Sequence, residues 1–321
     1  MKKKAIIFGI KGAKLLNVEK KIIRKHNPWG IIIFSRNIKS IIQLKNLISS
    51  IKNAANDRNY PILIDQEGGA VSRLNKIIDM TIFSQSFFGK LYTLKQKFFL
   101  SYYQIYVNTV SRILNEVGIN INSVPMLDIR RKFSSSIIRT RSFSENSLVV
   151  TKVGNICVRE FHKHKIATIM KHVPGHGLSK YDTHIQESIV KTEKKELIDK
   201  DFKPFKESIS FFAMTAHIIY SKYDPVFPAT HSKIIINDVI RKHIGFKGIL
   251  ISDDISMKAL KYNYKINAKK ALEAGCNLIL HCNANIKEMN ELVKIIPTID
   301  KFTQKKNIVL WMGVECVIVP I

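Results

Sequence analysis

Short, fully apolar runs recur along the chain at intervals wide enough to hold a helix between them. They are AIIFGI from Ala5, IIIF from Ile31, PILI from Pro61, ININSVPML from Ile119, IATIM from Ile166, FFAMTA from Phe211, GILIS from Gly248 and NLILHC from Asn277. Continuous runs rich in β-branched residues, without an alternating polar face, mark strands buried on both sides, as in a parallel sheet covered by helices. The segments IKSIIQLKNLISSIKNAAN, SLVVTKVGNICVREFHKH and KKELIDKDFKPFKESI carry apolar residues at helical spacing. No linker, low-complexity tract or solenoid-period repeat interrupts the series. About eight strand–helix alternations predict an α/β fold, a single (β/α)8 TIM-type barrel, in preference to an open doubly wound sheet. The whole chain, residues 1–321, is read as one catalytic domain, with the tail from about residue 303 left open.

Polar residues punctuate these runs at one end. Arg36, Asp65, Asp128, Lys171 with His172, His217, and Asp253 with Asp254 lie at or just past the C-terminal ends of their strands. In this fold that face carries catalysis. Any one of them alone is a solvated strand end; their convergence on one rim points to a site.

Composition changes the picture little. The hydrophobic share of 45% is that of a folded globular chain. No run reaches the roughly 18 apolar residues of a membrane span, so no membrane partner is expected, and MKKKAIIFGIKGAKLL reads as a first strand. The formal charge of +27 would suit a nucleic-acid partner. Lysine is scattered along the whole chain, however, with isoleucine and asparagine abundant, as A+T-rich coding drift would leave it, and no nucleic-acid partner is expected. Cys157, Cys276, Cys282 and Cys316 form no CxxC pair, which fits a reduced cytoplasm.

The densest cluster of candidate chemistry is MKHVPGHGLSKYDTHIQ from Met170. His172, His176 and His184 lack a metal-site pattern: the spacer Val-Pro-Gly cannot hold a helical HExxH, and no cysteine or glutamate completes a set. GHG also lacks the frame of a phosphate loop. Pro174 to Gly177 instead turn the chain sharply, so that Lys171 and His172 face the barrel mouth while the next loop folds back with Asp182 and His184. An aspartate beside a histidine fixes its tautomer and favours the imidazolium, as an acid/base group needs. In IDQEGGAVSRL, Asp65 ends a strand and Arg73 can return to the mouth; a plain Asp65–Arg73 salt bridge is the alternative. In GFKGILISDDISMKAL, Asp253 is given the chemistry and Asp254 the cap of a following helix. Asp128, Arg141 and His217 are further candidates for substrate contact.

Together KHVPGHGLSKYDTH, LIDQEGGAVSRL, GILISDDISMKAL, IIIFSRNIKS and AHIIYSKYDPVFPATHS resemble the bacterial β-N-acetylhexosaminidases of glycoside hydrolase family 3, enzymes of peptidoglycan recycling. The resemblance runs from about Ile31 to Cys282. It implies a retaining exo-hydrolase that releases N-acetylglucosamine from muropeptides of the GlcNAc-1,6-anhydro-MurNAc type, a cytoplasmic monomer with no metal and no cofactor. It makes Asp253 the nucleophile, His184 the acid/base with Asp182 as its partner, and Asp65, Arg73, Arg141, Lys171 and His172 the sugar-binding residues. Such enzymes pair a carboxylate nucleophile with a second group that first gives and then takes a proton; here that group is a histidine. Ala70, Arg139 and Thr183 depart from the family pattern, and Arg139 near the mouth is expected to crowd or recharge the aglycone side. A broader β-glucosidase-like hydrolase and a decaying sugar-binding barrel are the rival readings. The apolar ending LWMGVECVIVPI is unusual for the family.

Overall fold

A computed structural model describes residues 2–183 and 185–312. His184 and the apolar tail beyond residue 312, with Cys316, lie outside the described residues.

The barrel strands are β1 (Lys4–Gly9), β2 (Pro28–Ile33), β3 (Ile62–Ile64), β4 (Ile121–Asn122), β5 (Ala167–Val173), β6 (Phe212–Thr215), β7 (Ile249–Asp254) and β8 (Leu278–His281). Each overlaps one of the apolar runs; β1 and β2 start before theirs, at Lys4 and Pro28, while β5 and β7 run on past theirs to Val173 and Asp254. All pair in parallel with their chain neighbours, and Ile6 opposite Ile279 closes the sheet through β8 and β1. The α/β barrel is therefore a closed (β/α)8 architecture. Strand residues such as Ile31, Ile64, Ile169 and Ile251 are wholly buried. Each such side chain contributes roughly 1.5–3 kcal/mol when removed from water.

Helices pack outside. Ile41–Ala55 starts at Ser40, whose hydroxyl accepts the Gln43 amide, and Ser147–Lys163 starts at Asn146, which accepts from Leu148 and Val149. Both fill segments with helical spacing. KKELIDKDFKPFKESI breaks up instead: Lys194–Glu196 runs into a π-helical turn at Leu197–Asp201 and then Lys203–Lys206. Pro204 explains the break, because its nitrogen has no proton to bond the carbonyl one turn back.

Two short strands, Ser188–Val190 and Ile218–Tyr220, pair in parallel outside the barrel. They tie the loop that follows β5 to the segment that follows β6. No helix among the described residues is long and apolar enough to cross a membrane.

Candidate active site

β5 delivers Lys171 and His172 at its end, and the stretch after β4 runs alongside it, with the Leu127 amide donating to the Lys171 carbonyl at 2.7 Å. That pairing places Asp128 beside His172. The fully buried Asp128 carboxylate lies 2.7 Å from His172 Nδ1 and accepts the His176 amide at 2.6 Å. Burial pushes its pKa up, but the His172 and His176 side outweighs it and holds the carboxyl below the usual range. Asp128 therefore orients two histidines and is closed off from the mouth, a correction to its reading as a substrate contact.

Asp65, just past β3, receives the Lys171 ammonium and lies 3.0 Å from Arg73 Nη2. The Asp65–Arg73 salt bridge thus exists, and both partners line the mouth. Between them, the Gln66 side-chain oxygen accepts the amides of Arg73 and Leu74 at 2.7 and 3.0 Å, which shapes the loop. Burial pushes the Asp65 carboxyl up, yet Lys171 and then Arg73 hold it well below the ordinary carboxylate range.

Glu67 is the residue that reading the sequence missed. It is buried, grips Arg141 with two bonds of 2.8 Å, and lies 2.6 Å from Lys171 Nζ. Its pKa too is pushed up by burial and pulled below normal by Arg141 and Lys171, while Glu67 in turn holds Arg141 firmly charged. Arg73, Asp65, Lys171, Glu67 and Arg141 form an unbroken chain of alternating charge. A glutamate beside a strand-end aspartate is a signal only once Arg141, far along the chain, is known to reach it.

At β7, Asp253 accepts the amide of Asp254 at 2.8 Å. Asp254 does not cap a helix, since the next one, Tyr264–Ala274, is capped by Asn263. Its carboxylate accepts from the Ser256 amide and hydroxyl and from the Cys282 amide at 3.2 Å, binding the turn after β7 to the end of β8. His217 is likewise a support: buried, it meets Thr230 Oγ1 at 2.7 Å through Nδ1 and the Asp254 carbonyl at 3.0 Å through Nε2. Both ring nitrogens are occupied below the mouth, which corrects its reading as a substrate contact. Arg36 bonds the carbonyls of Ile10 and Cys282 and stitches strand ends together.

One cavity of about 420 Å³ gathers Asp65, Arg73, Arg141, Lys171, His172, Asp182, Asp253 and Asp254, with Met214 and Met257 also in its lining. Ala70 is in its wall, as is Thr140. Arg139 is not; it is exposed, with Nε 3.5 Å from the Ser134 carbonyl. Asp182 reaches the cavity on the loop after β5. Gly175, at φ +142°, makes the turn, and Gly177 passes so close to the Ile129 carbonyl that a Cβ would sit 1.8 Å from it. The Ser134 hydroxyl donates to the Gly177 carbonyl at 2.6 Å, and Tyr220 donates to that of Gly175. Among the described residues no three His, Cys, Asp or Glu side chains are arranged to hold a metal.

The arrangement offers a half-buried carboxylate at the end of β7, a second one on a loop across the mouth, and a row of fixed cations and acceptors between them. Donors and acceptors fixed in this way are the kind of groups that bond the hydroxyls of a polyhydroxylated ring. Residues 4–308 match the N-terminal domain of glycosyl hydrolase family 3. The chain belongs to that family. A β-hexosaminidase of Psychromonas ingrahamii is 31% identical over 284 residues, which span 87% of this chain and 82% of that protein. The crystal structure of native NagZ from Neisseria gonorrhoeae superposes with a TM-score of 0.87 at 25% identity, covering 100% of this chain and 95% of that one. A family 3 β-N-acetylglucosaminidase from Paenibacillus sp. gives 0.83 at 25% identity over 97% of this chain, which spans 60% of that longer protein. The family 3 chain is a glycoside hydrolase of the β-hexosaminidase type.

Proposed function

We propose that this family 3 hydrolase is a retaining exo-β-N-acetylglucosaminidase that removes the non-reducing terminal GlcNAc from muropeptides of the GlcNAc-1,6-anhydro-MurNAc type. The observation that carries the reading is the shared cavity of Asp253 and Asp182, with Asp65, Arg73, Arg141, Lys171 and His172 between them.

In the first half-reaction the Asp253 carboxylate forms a bond to the anomeric carbon as the glycosidic carbon–oxygen bond breaks, and the departing oxygen takes the proton of His184. In the second, His184 takes a proton from water, whose oxygen attacks the same carbon and releases Asp253. Asp182 holds the imidazole for both steps. Lys171, Arg73 and Arg141 donate to sugar oxygens, and Asp65 accepts from hydroxyls. Fixed by their mutual ion pairs, these groups need little reorganisation when sugar binds. We place the enzyme in the cytoplasm as a monomer and a single catalytic domain, acting in peptidoglycan recycling.

The test is turnover of an aryl β-N-acetylglucosaminide against an aryl β-glucoside, by the wild type and by Asp253→Ala. The reading expects cleavage of the first, little of the second, and loss of at least about 10³-fold in the variant. Preference for the glucoside supports a broader β-glucosidase, and no turnover of either contradicts the enzymatic reading.

A further inference from the structure

The segment that carries Asp182 is fastened at the next residue from two sides. Thr183 is buried. Its hydroxyl lies 3.0 Å from His176 Nε2, and its carbonyl accepts the Ala259 amide at 3.2 Å. Ala259 belongs to the turn after Asp253 and Asp254, whereas His176 belongs to the turn after Lys171 and His172. His176 is fixed in its own right through its amide bond to Asp128, the carboxylate that also orients His172. One hydroxyl thus links the loop to the sugar-facing end of β5.

The ring of His176 is almost wholly buried, and its Nδ1 has no hydrogen-bond partner among the described residues. The ring's hydrogen bond to another side chain is therefore the one between Nε2 and Thr183 Oγ1. His176 is not in the cavity wall. Among the described residues its side chain hydrogen-bonds Thr183, the residue between the two members of the proposed proton-transfer pair.

We propose that His176 is a positioning residue for proton transfer: through Thr183 it holds Asp182 at the cavity wall and sets where the acid/base group stands relative to Asp253. This rests on the reading of Asp182 and His184 as the acid/base pair. A misplacement of about 1 Å in such a group can cost about 10²-fold. The same loss is expected here when the bond is removed.

The test compares wild type with Thr183→Val, Thr183→Ser, His176→Leu and His176→Gln on aryl β-N-acetylglucosaminides whose phenols differ in acidity. Dinitrophenolate leaves without a proton, whereas a weakly acidic phenol needs one. Thr183→Val and His176→Leu should lose about 10²-fold in kcat/KM on the weakly acidic phenol and much less on the dinitrophenyl substrate. Thr183→Ser and His176→Gln, which restore a hydroxyl and a side-chain N–H, should recover most of the loss. The double variant should be no worse than either single one. Amide exchange of residues 176–187 should quicken in Thr183→Val, and this readout does not depend on turnover. Equal losses on both substrates, multiplying effects, or unchanged exchange would overturn the proposal. Should Thr183→Val fail to fold, the His176→Leu and His176→Gln pair decides it by the same criteria. A wild type inactive on every aryl N-acetylglucosaminide overturns the functional reading instead, and exchange still decides the link.

Discussion

Lys171 Nζ lies 2.6 Å from a carboxylate oxygen of Glu67, and both side chains are buried. Because Glu67 also grips Arg141 through both of its oxygens, one carboxylate sets the direction of two cations assigned to the sugar. Glu67→Ala leaves two buried cations short of a partner, and breaking a buried pair in this way costs about 3–5 kcal/mol. We expect that loss in denaturant unfolding, with a raised KM for the aryl N-acetylglucosaminide. Unchanged stability would show that Asp65 alone suffices to hold Lys171.

Stability should fall in acid in two stages. His176 is held at about 4, and His231 at about 3, in both cases first by burial. The unfolded chain takes up these protons near pH 6.5, so their contribution is present above that pH and lost as pH falls toward the folded values. Asp201, pushed up to about 6 by burial despite Arg131, works in the opposite direction between about 4 and 6. Below about pH 4 the depressed carboxyls of Asp65, Glu67 and Asp128 take up protons and their contacts weaken in turn. A melting-temperature profile from pH 8 to 3 should decline gently below about 6.5 and steeply below about 4. Asp201→Asn should steepen the first stage and His231→Gln should flatten it.

Gly177→Ala should be far more damaging than Gly12→Ala. A Cβ at Gly177 would lie 1.8 Å from a backbone carbonyl, whereas nothing lies within 4 Å of one at Gly12. The backbone at Gly177 must move, at a cost of about 1–3 kcal/mol or more, and the loop bearing Asp182 moves with it. Thermal melting and turnover of the two variants check this, with Gly12→Ala expected to match the wild type in both.

The barrel was legible because its strands are buried on both faces, which leaves unbroken apolar runs that no surface helix shares. The pair Ser188–Val190 and Ile218–Tyr220 was not, because three residues within loops carry no period. Pro204 was visible, but only the folded chain shows that it converts an amphipathic stretch into a π-turn. At the site, position at a strand end told which rim a polar residue occupies and nothing about whether it faces the mouth. Asp65, Lys171 and Asp253 do face it; Asp128 and His217 turn beneath it to hold His172, His176 and Asp254. Glu67 stayed hidden because its partner Arg141 is distant in sequence and arrives only with the fold.

In the proposed reaction Asp253 attacks the sugar. A fluorinated N-acetylglucosaminyl substrate that forms the glycosyl-enzyme quickly and hydrolyses it slowly, followed by peptide mass spectrometry, tests it most directly. One sugar per chain is expected, attached to Asp253 in the peptide that holds both aspartates, with no label in Asp253→Ala. Label on Asp254, or an active enzyme that accumulates no covalent sugar, would contradict it.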